Sequence, residues 1–167
     1  MKLICQQITK KYKDKVALDQ VSLTLEQGKI YGLIGRNGAG KTTLLSILTA
    51  QSPATSGTVT LDGMPVWEDR KALEHLCFSR ELNVSNESGL GSMKVKEYLR
   101  IASIYYPHWD AAMAEKLVQL FELPLKKRMN KLSKGMLSMV TIIVALSSKA
   151  EFTLLDEPVA GLDVVAR

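Results

Sequence analysis

The residues with the densest chemical content are Gly35-Arg36-Asn37-Gly38-Ala39-Gly40-Lys41-Thr42-Thr43. They satisfy the pattern G-x-x-x-x-G-K-[ST] at every fixed position. Glycines at 35, 38 and 40 let the backbone curl so that successive N–H groups turn inward toward an anion. A helix opening at Thr42 adds the partial positive charge of its N-terminus beneath that anion. Lys41 then reaches the β- and γ-phosphates of a nucleoside triphosphate, and the Thr42 hydroxyl ligates Mg²⁺.

Two further stretches supply complementary chemistry. The apolar run Phe152-Thr153-Leu154-Leu155 ends abruptly in Asp156-Glu157. Phosphoryl transfer to water needs a carboxylate to hold Mg²⁺, directly or through water, and Asp156 offers one. It also needs a base for the attacking water, and Glu157 offers that. Adjacent residues at a strand end point in different directions, so the two can face different targets. The segment Leu132-Ser133-Lys134-Gly135-Met136 opens a helix running to about Ser147, with Ser133 as its N-cap.

The elements that must position these groups follow from spacing. Lys29 to Ile34, mostly apolar, predicts a strand buried on both faces that delivers the glycine-rich loop, and Thr42 to Leu48 predicts the helix that leaves it. Leu3 to Thr9 and Val21 to Leu25 predict two earlier strands around a polar turn, Lys10 to Lys15. Ser52 to Gly57 breaks the chain before a short strand, Thr58 to Leu61, closed by the turn pair Asp62-Gly63. Residues 68–75 suit a short helix, Leu76 to Phe78 a strand, and Asn83 to Ser92 a polar loop. Then come two helices. Val95, Leu99 and Ala102 share a face of the first, which ends at Tyr105-Tyr106-Pro107. Asp110 caps the second, whose stripe is Ala114, Leu117, Val118 and Phe121 and whose stop is Leu123-Pro124. This block, about residues 85–130, reads as a helical insertion between strands.

The 167 residues suffice for one domain with a sizeable core, and 46% hydrophobic with 23% charged residues describes an ordinary globular chain. The net charge of +5 is mild and its basic residues are scattered, so no nucleic-acid partner is expected. Cys5 and Cys77 lack metal-ligand spacing and are expected as buried, reduced core residues. No apolar run has the length of a membrane span and the N-terminus lacks a signal-peptide core, which predicts a cytoplasmic chain.

On these residues the chain resembles the ATP-binding subunits of ABC transporters over its whole length. Gly35 to Thr43 is similar to the family's Walker A motif and Phe152 to Glu157 to Walker B with its catalytic glutamate. Leu132 to Met136 resembles the signature that separates this family from other P-loop NTPases, with Met136 in place of the usual glutamine. Ala160-Gly161-Leu162-Asp163 resembles the D-loop. The resemblance implies an α/β fold: a P-loop NTPase (RecA-like) core with an N-terminal antiparallel β subdomain and an inserted α-helical subdomain. The expected layout is one ATP-binding domain, with the β subdomain and Walker A core in 1–84, the helical subdomain in 85–130, and the signature helix, Walker B and D-loop in 131–167.

The resemblance further implies ATP and Mg²⁺ as cofactors and Gly35, Asn37, Gly38, Ala39, Gly40, Lys41, Thr42 and Thr43 as nucleotide-binding. Lys41 and Glu157 would be catalytic, and Thr42 and Asp156 metal-binding. Tyr12 sits where the family keeps an aromatic to stack on adenine; an ordinary turn tyrosine is the alternative. Two such subunits, identical or different, would sandwich two ATP molecules, so that Ser133 and Gly135 contact in trans the nucleotide held by the other. An integral membrane permease is the other implied partner, which would hold the chain at the cytoplasmic face of the membrane. The compact layout resembles bacterial exporters of the drug- or peptide-resistance kind.

Two positions depart from the family pattern. Its loop glutamine is replaced near Ser79-Arg80-Glu81, with Glu81 the first candidate and Arg80 the second. Its switch histidine lies well beyond Walker B, where only Pro158 to Arg167 remain, and neither His75 nor His108 is placed to substitute. The expectation is therefore a C-terminally shortened form of a longer subunit, or else a non-transport ATPase of the same family or a nucleotide-binding regulatory module with impaired turnover.

Overall fold

The computed structural model describes residues 1–85 and 89–158, and the chain forms two compact units, Met1–Phe78 and Ser79–Arg167.

The first unit is built on an antiparallel sheet of order β2-β1-β3-β4. β1 (Lys2–Tyr12) and β2 (Lys15–Glu26) form a long hairpin, with Ile4 opposite Thr24 and Tyr12 opposite Lys15. The turn is only Lys13-Asp14, not the six-residue polar turn that Lys10 to Lys15 suggested. Cross-strand hydrogen bonding continues through these lysines because nothing requires either face of a hairpin tip to be apolar, and Lys13 turns the chain at φ 49°. Leu3 and Cys5 alternate inward. The register then shifts between Cys5 and Ile8, so Ile8 rather than Gln7 becomes the next buried residue. β3 (Ser56–Leu61) pairs with the other edge of β1, Leu61 opposite Leu3, and returns through Asp62-Gly63 to the short β4 (Met64–Pro65).

Helix α1 (Lys41–Leu48) buries Leu44, Ile47 and Leu48. α2 (Arg70–Glu74) is capped by Asp69, whose carboxylate accepts the Ala72 N–H at 3.0 Å. β5 (Leu76–Ser79) follows. Cys5 and Cys77 are buried thiols, as expected, and burial pushes the Cys5 thiol pKa up.

One expected element is not a strand. Residues 29–34 carry no regular structure, and Ile30 and Ile34 are exposed. A strand needs neighbours for its N–H and C=O groups, and among the described residues no strand pairs with this run. Apolar composition marks what could be buried in a sheet but does not provide the ladder.

The second unit packs α3 (Val95–Tyr105), α4 (Ala111–Leu120) and α5 (Lys134–Ser147) around Val95, Leu99, Ala114, Leu117, Val140 and Ile143. The face foreseen on α3 is buried; on α4, Ala114 and Leu117 are buried while Val118 and Phe121 pack at its margin. Asp110 caps α4 by accepting the Met113 N–H at 2.8 Å, and its own N–H donates to the Ser147 carbonyl at 2.8 Å, tying the start of α4 to the end of α5. β6 (Phe152–Leu155) ends at Asp156, whose N–H donates to the carbonyl of Ser79 at 2.8 Å.

Candidate functional site

In the first unit the glycine-rich loop is shaped by its backbone. Gly38 and Gly40 have φ of 80° and 88°, the left-handed region that favours glycine. A Cβ on Gly40 would lie 2.5 Å from the Ala17 carbonyl oxygen and 3.0 Å from Leu18 Cδ2, so β2 backs the loop where it enters α1. The Ala39 N–H donates to Arg36 O at 3.1 Å to close the turn, and the Leu44 N–H donates to Gly40 O at 2.9 Å to start the helix. No side chain caps α1 and no acidic residue stands in its first turn, so the helix presents its opening N–H groups and uncompensated partial charge to a ligand.

The Lys41 ammonium folds back over the loop, donating to Gly35 O at 2.8 Å and Arg36 O at 3.1 Å. Gly35, Asn37, Ala39 and Thr42 are exposed, while Thr43 is half-buried. A curled glycine loop, an uncapped helix N-terminus and the Lys41 ammonium together offer the donor types that a polyphosphate takes. Tyr12, exposed at the hairpin tip, has the Lys10 ammonium 5.1 Å from its ring centroid, and that ammonium also donates to Pro53 O at 2.6 Å.

In the second unit Ser133 is the N-cap of α5, its hydroxyl accepting the Met136 N–H at 3.2 Å. Ser133 is exposed, Gly135 half-buried, and the first turn of α5 carries no acid. Glu81, the first candidate at the glutamine position, reaches this helix: its Oε1 lies 3.2 Å from Lys134 Nζ, and both Glu81 and Arg80 are exposed. Sequence reasoning passed over Lys134; its signal was a charged residue directly after a capping serine. Asp156 is half-buried and Glu157 exposed, with Glu157 at φ 49°. A non-glycine residue held there is strained by about 1–3 kcal/mol, a cost often met at functional positions. Asp163 lies outside the described residues.

Among the described residues no group of three or more His, Cys, Asp or Glu could cage a metal. Within the first unit the Thr42 hydroxyl, and within the second the Asp156 carboxylate, are each hard oxygens of the donor type that Mg²⁺ takes.

A family model described as ABC transporter matches residues 18–160. The ABC transporter ATP-binding protein YtrB of Bacillus subtilis is 32% identical over 162 residues, which cover 97% of this chain and 54% of YtrB. The manganese transport system ATP-binding protein MntB of Listeria innocua is 34% identical over 165 residues, covering 96% of this chain and 69% of MntB. The chain thus spans about half to two thirds of the length of these relatives. The solved dimeric ABC transporter cassette MJ0796 superposes with a TM-score of 0.78 over 98% of this chain and 77% of its own, at 23% identity, a likeness of fold.

Proposed function

Because the chain belongs to the ABC transporter ATP-binding family, we propose that it binds MgATP and hydrolyses it as the energy-supplying subunit of a transporter. The observation that carries this reading is the Gly35–Thr43 loop, with Gly38 and Gly40 at positive φ, an uncapped α1 and the Lys41 ammonium folded over it.

The loop N–H groups and Lys41 bind the phosphates and neutralise charge as it builds on the transferring group. When bound, Mg²⁺ would supply Lewis-acid stabilisation of the phosphate oxygens, and the Thr42 hydroxyl and the Asp156 carboxylate are the donors that would hold it. Glu157 accepts a proton from the attacking water as the water oxygen bonds to the γ-phosphorus, the bond from the γ-phosphorus to the β–γ bridging oxygen breaks with its electron pair going to ADP, and ADP and phosphate result. Tyr12 stacks on the base. Ser133 and Gly135, at the N-terminus of α5, contact the nucleotide of a second subunit, which makes dimerisation depend on ATP.

Among the described residues no helix is long and apolar enough to cross a membrane. An integral membrane permease is the proposed partner, holding this chain at the cytoplasmic face of the membrane through the helical block with its exposed Ile104 and Tyr105. Export is the direction this reading favours, through its likeness to drug- and peptide-resistance systems.

The test is MgATP turnover by the 167-residue chain with Glu157→Gln as control and oligomeric state followed alongside. Turnover that the control abolishes, with dimers formed only in ATP, supports the reading. A folded chain in which Lys41→Ala leaves nucleotide affinity unchanged sinks it.

A further inference from the structure

Tyr12 is exposed at the tip of the β1–β2 hairpin, yet one face of its ring is occupied, because the Lys10 ammonium lies over it at 5.1 Å from the centroid. The two residues are spaced on β1 so that their side chains share a face of the strand. A flexible four-carbon stem would ordinarily leave that ammonium wandering in solvent. Here it is anchored: Lys10 is half-buried, and its ammonium donates to the Pro53 carbonyl at 2.6 Å. The segment 53–55 is itself fastened to β1. The Thr55 N–H donates to Thr9 O at 2.8 Å, and Thr55 Oγ1 accepts the Lys11 N–H at 3.0 Å, one bond on either side of Lys10. This segment follows directly from α1, whose end is wrapped by the Gln51 and Ser52 N–H groups donating to Ser46 O at 2.7 and 3.2 Å. The helix that opens at the glycine-rich loop thus reaches, through Pro53, the cation that covers Tyr12. The register sets Tyr12 beside the same loop. Leu18 stands opposite Lys10 in the hairpin, and its Cδ2 comes within 3.0 Å of where a Cβ on Gly40 would be. Tyr12 lies two residues further along β1, about 7 Å away at roughly 3.4 Å per residue, the order of distance that a ribose puts between phosphate and base.

We propose that Lys10 is a positioning residue for the nucleobase: anchored on Pro53, it covers one face of the Tyr12 ring and leaves the other for the base to stack on. This rests on the reading that Tyr12 stacks on the base. An unrestrained tyrosine at a hairpin tip samples several rotamers, and ordering it as a ligand binds costs entropy. Lys10 sets the ring beforehand. The cation also draws ring electron density toward its own side, which lessens repulsion between the opposite face and the π-cloud of a base. Lys10 itself touches neither base nor phosphate, so its effect is confined to ligands that carry a base.

The experiment measures, by isothermal titration, how the full 167-residue chain binds MgATP and inorganic triphosphate with Mg²⁺. It compares wild type, Lys10→Met, Lys10→Arg, Tyr12→Ala and the Lys10→Met/Tyr12→Ala pair, with the melting temperature of each recorded. Methionine keeps an unbranched stem without the charge. Lys10→Met is expected to weaken ATP binding about threefold, the scale of an exposed cation–π contact, and to leave triphosphate unchanged. Lys10→Arg restores ATP affinity. Tyr12→Ala weakens ATP binding by roughly tenfold, the scale of base–aromatic stacking, and in that background Lys10→Met has no further effect. Equal losses of ATP and triphosphate affinity in Lys10→Met overturn the proposal, because Lys10 would then act on the phosphates or only on the docking of segment 53–55. Unchanged ATP affinity in Lys10→Met beside a loss in Tyr12→Ala also overturns it, and leaves the stacking reading standing. If Tyr12→Ala does not alter the ratio of ATP to triphosphate affinity, stacking and proposal fall together.

Discussion

The Lys41 ammonium donates to the Gly35 carbonyl at 2.8 Å, so the cation of the glycine-rich loop is bonded to the residue that opens it. This contact and its neighbour at Arg36 O hold the side chain over the curled backbone. A polyphosphate offers the same ammonium stronger acceptors than two carbonyls. Lys41→Ala should weaken ATP binding by about 1.5–3 kcal/mol, roughly ten- to hundredfold in Kd, with little change in melting temperature. Equilibrium titration with a fluorescent ATP analogue checks it.

Gly40→Ala tests the loop's backing. The substitution places a methyl at φ 88° and 2.5 Å from the Ala17 carbonyl oxygen. Both the dihedral and the contact oppose it, and the cost should be about 2 kcal/mol or more. Gly38→Ala, also at positive φ but in open space, should cost only the dihedral part. Urea denaturation of the two variants separates the terms; equal losses would mean that β2 yields without cost.

Much of this was legible beforehand, for reasons that differ by element. The glycine-rich loop declares itself because few residue types can take its conformation, and the helical block because Val95, Leu99 and Ala102 repeat at the period of a helix. Ser133 and Asp110 were readable as caps because their oxygens act within three residues of chain. The failures are non-local. Residues 29–34 have strand composition, but pairing depends on what lies beside them. The contact between Glu81 and Lys134 joins positions far apart in sequence, and no periodicity encodes it.

The Asp110 cap makes stability depend on acid. The Met113 N–H, followed by Lys149 at 3.3 Å, holds the Asp110 carboxyl below the ordinary aspartate pKa of 3.8. A carboxylate with a lowered folded pKa stabilises the fold fully above its unfolded value and loses that contribution as pH falls through the folded one. Acid unfolding of the wild type should therefore lose part of its stability below about pH 4. In Asp110→Asn, which keeps a capping oxygen without the titration, that part of the pH dependence should flatten. Equal slopes in both proteins would count against the cap as its source.

Residues 29–34 should be the first part of the first unit to exchange its amides. Their N–H groups have no ladder among the described residues, and Ile30 and Ile34 face outward. Hydrogen exchange followed by mass spectrometry should show near-immediate labelling there and slow labelling in β1. Ile34→Lys should raise solubility without lowering the melting temperature. Protection of this run comparable to that of β1 would contradict the assignment.

The bond from the Asp110 N–H to the Ser147 carbonyl makes α5 a lever. Its 14 residues give an arm about 21 Å long at 1.5 Å per residue, tied at one end to the start of α4 and carrying Ser133 at the other, with Met136 and Leu137 seated against the helical core. A tilt of about 10° at the pinned end would sweep that serine through about 3.6 Å on an arm of this length, more than the length of a hydrogen bond. A small torque on α4 thus becomes a make-or-break step at the far tip.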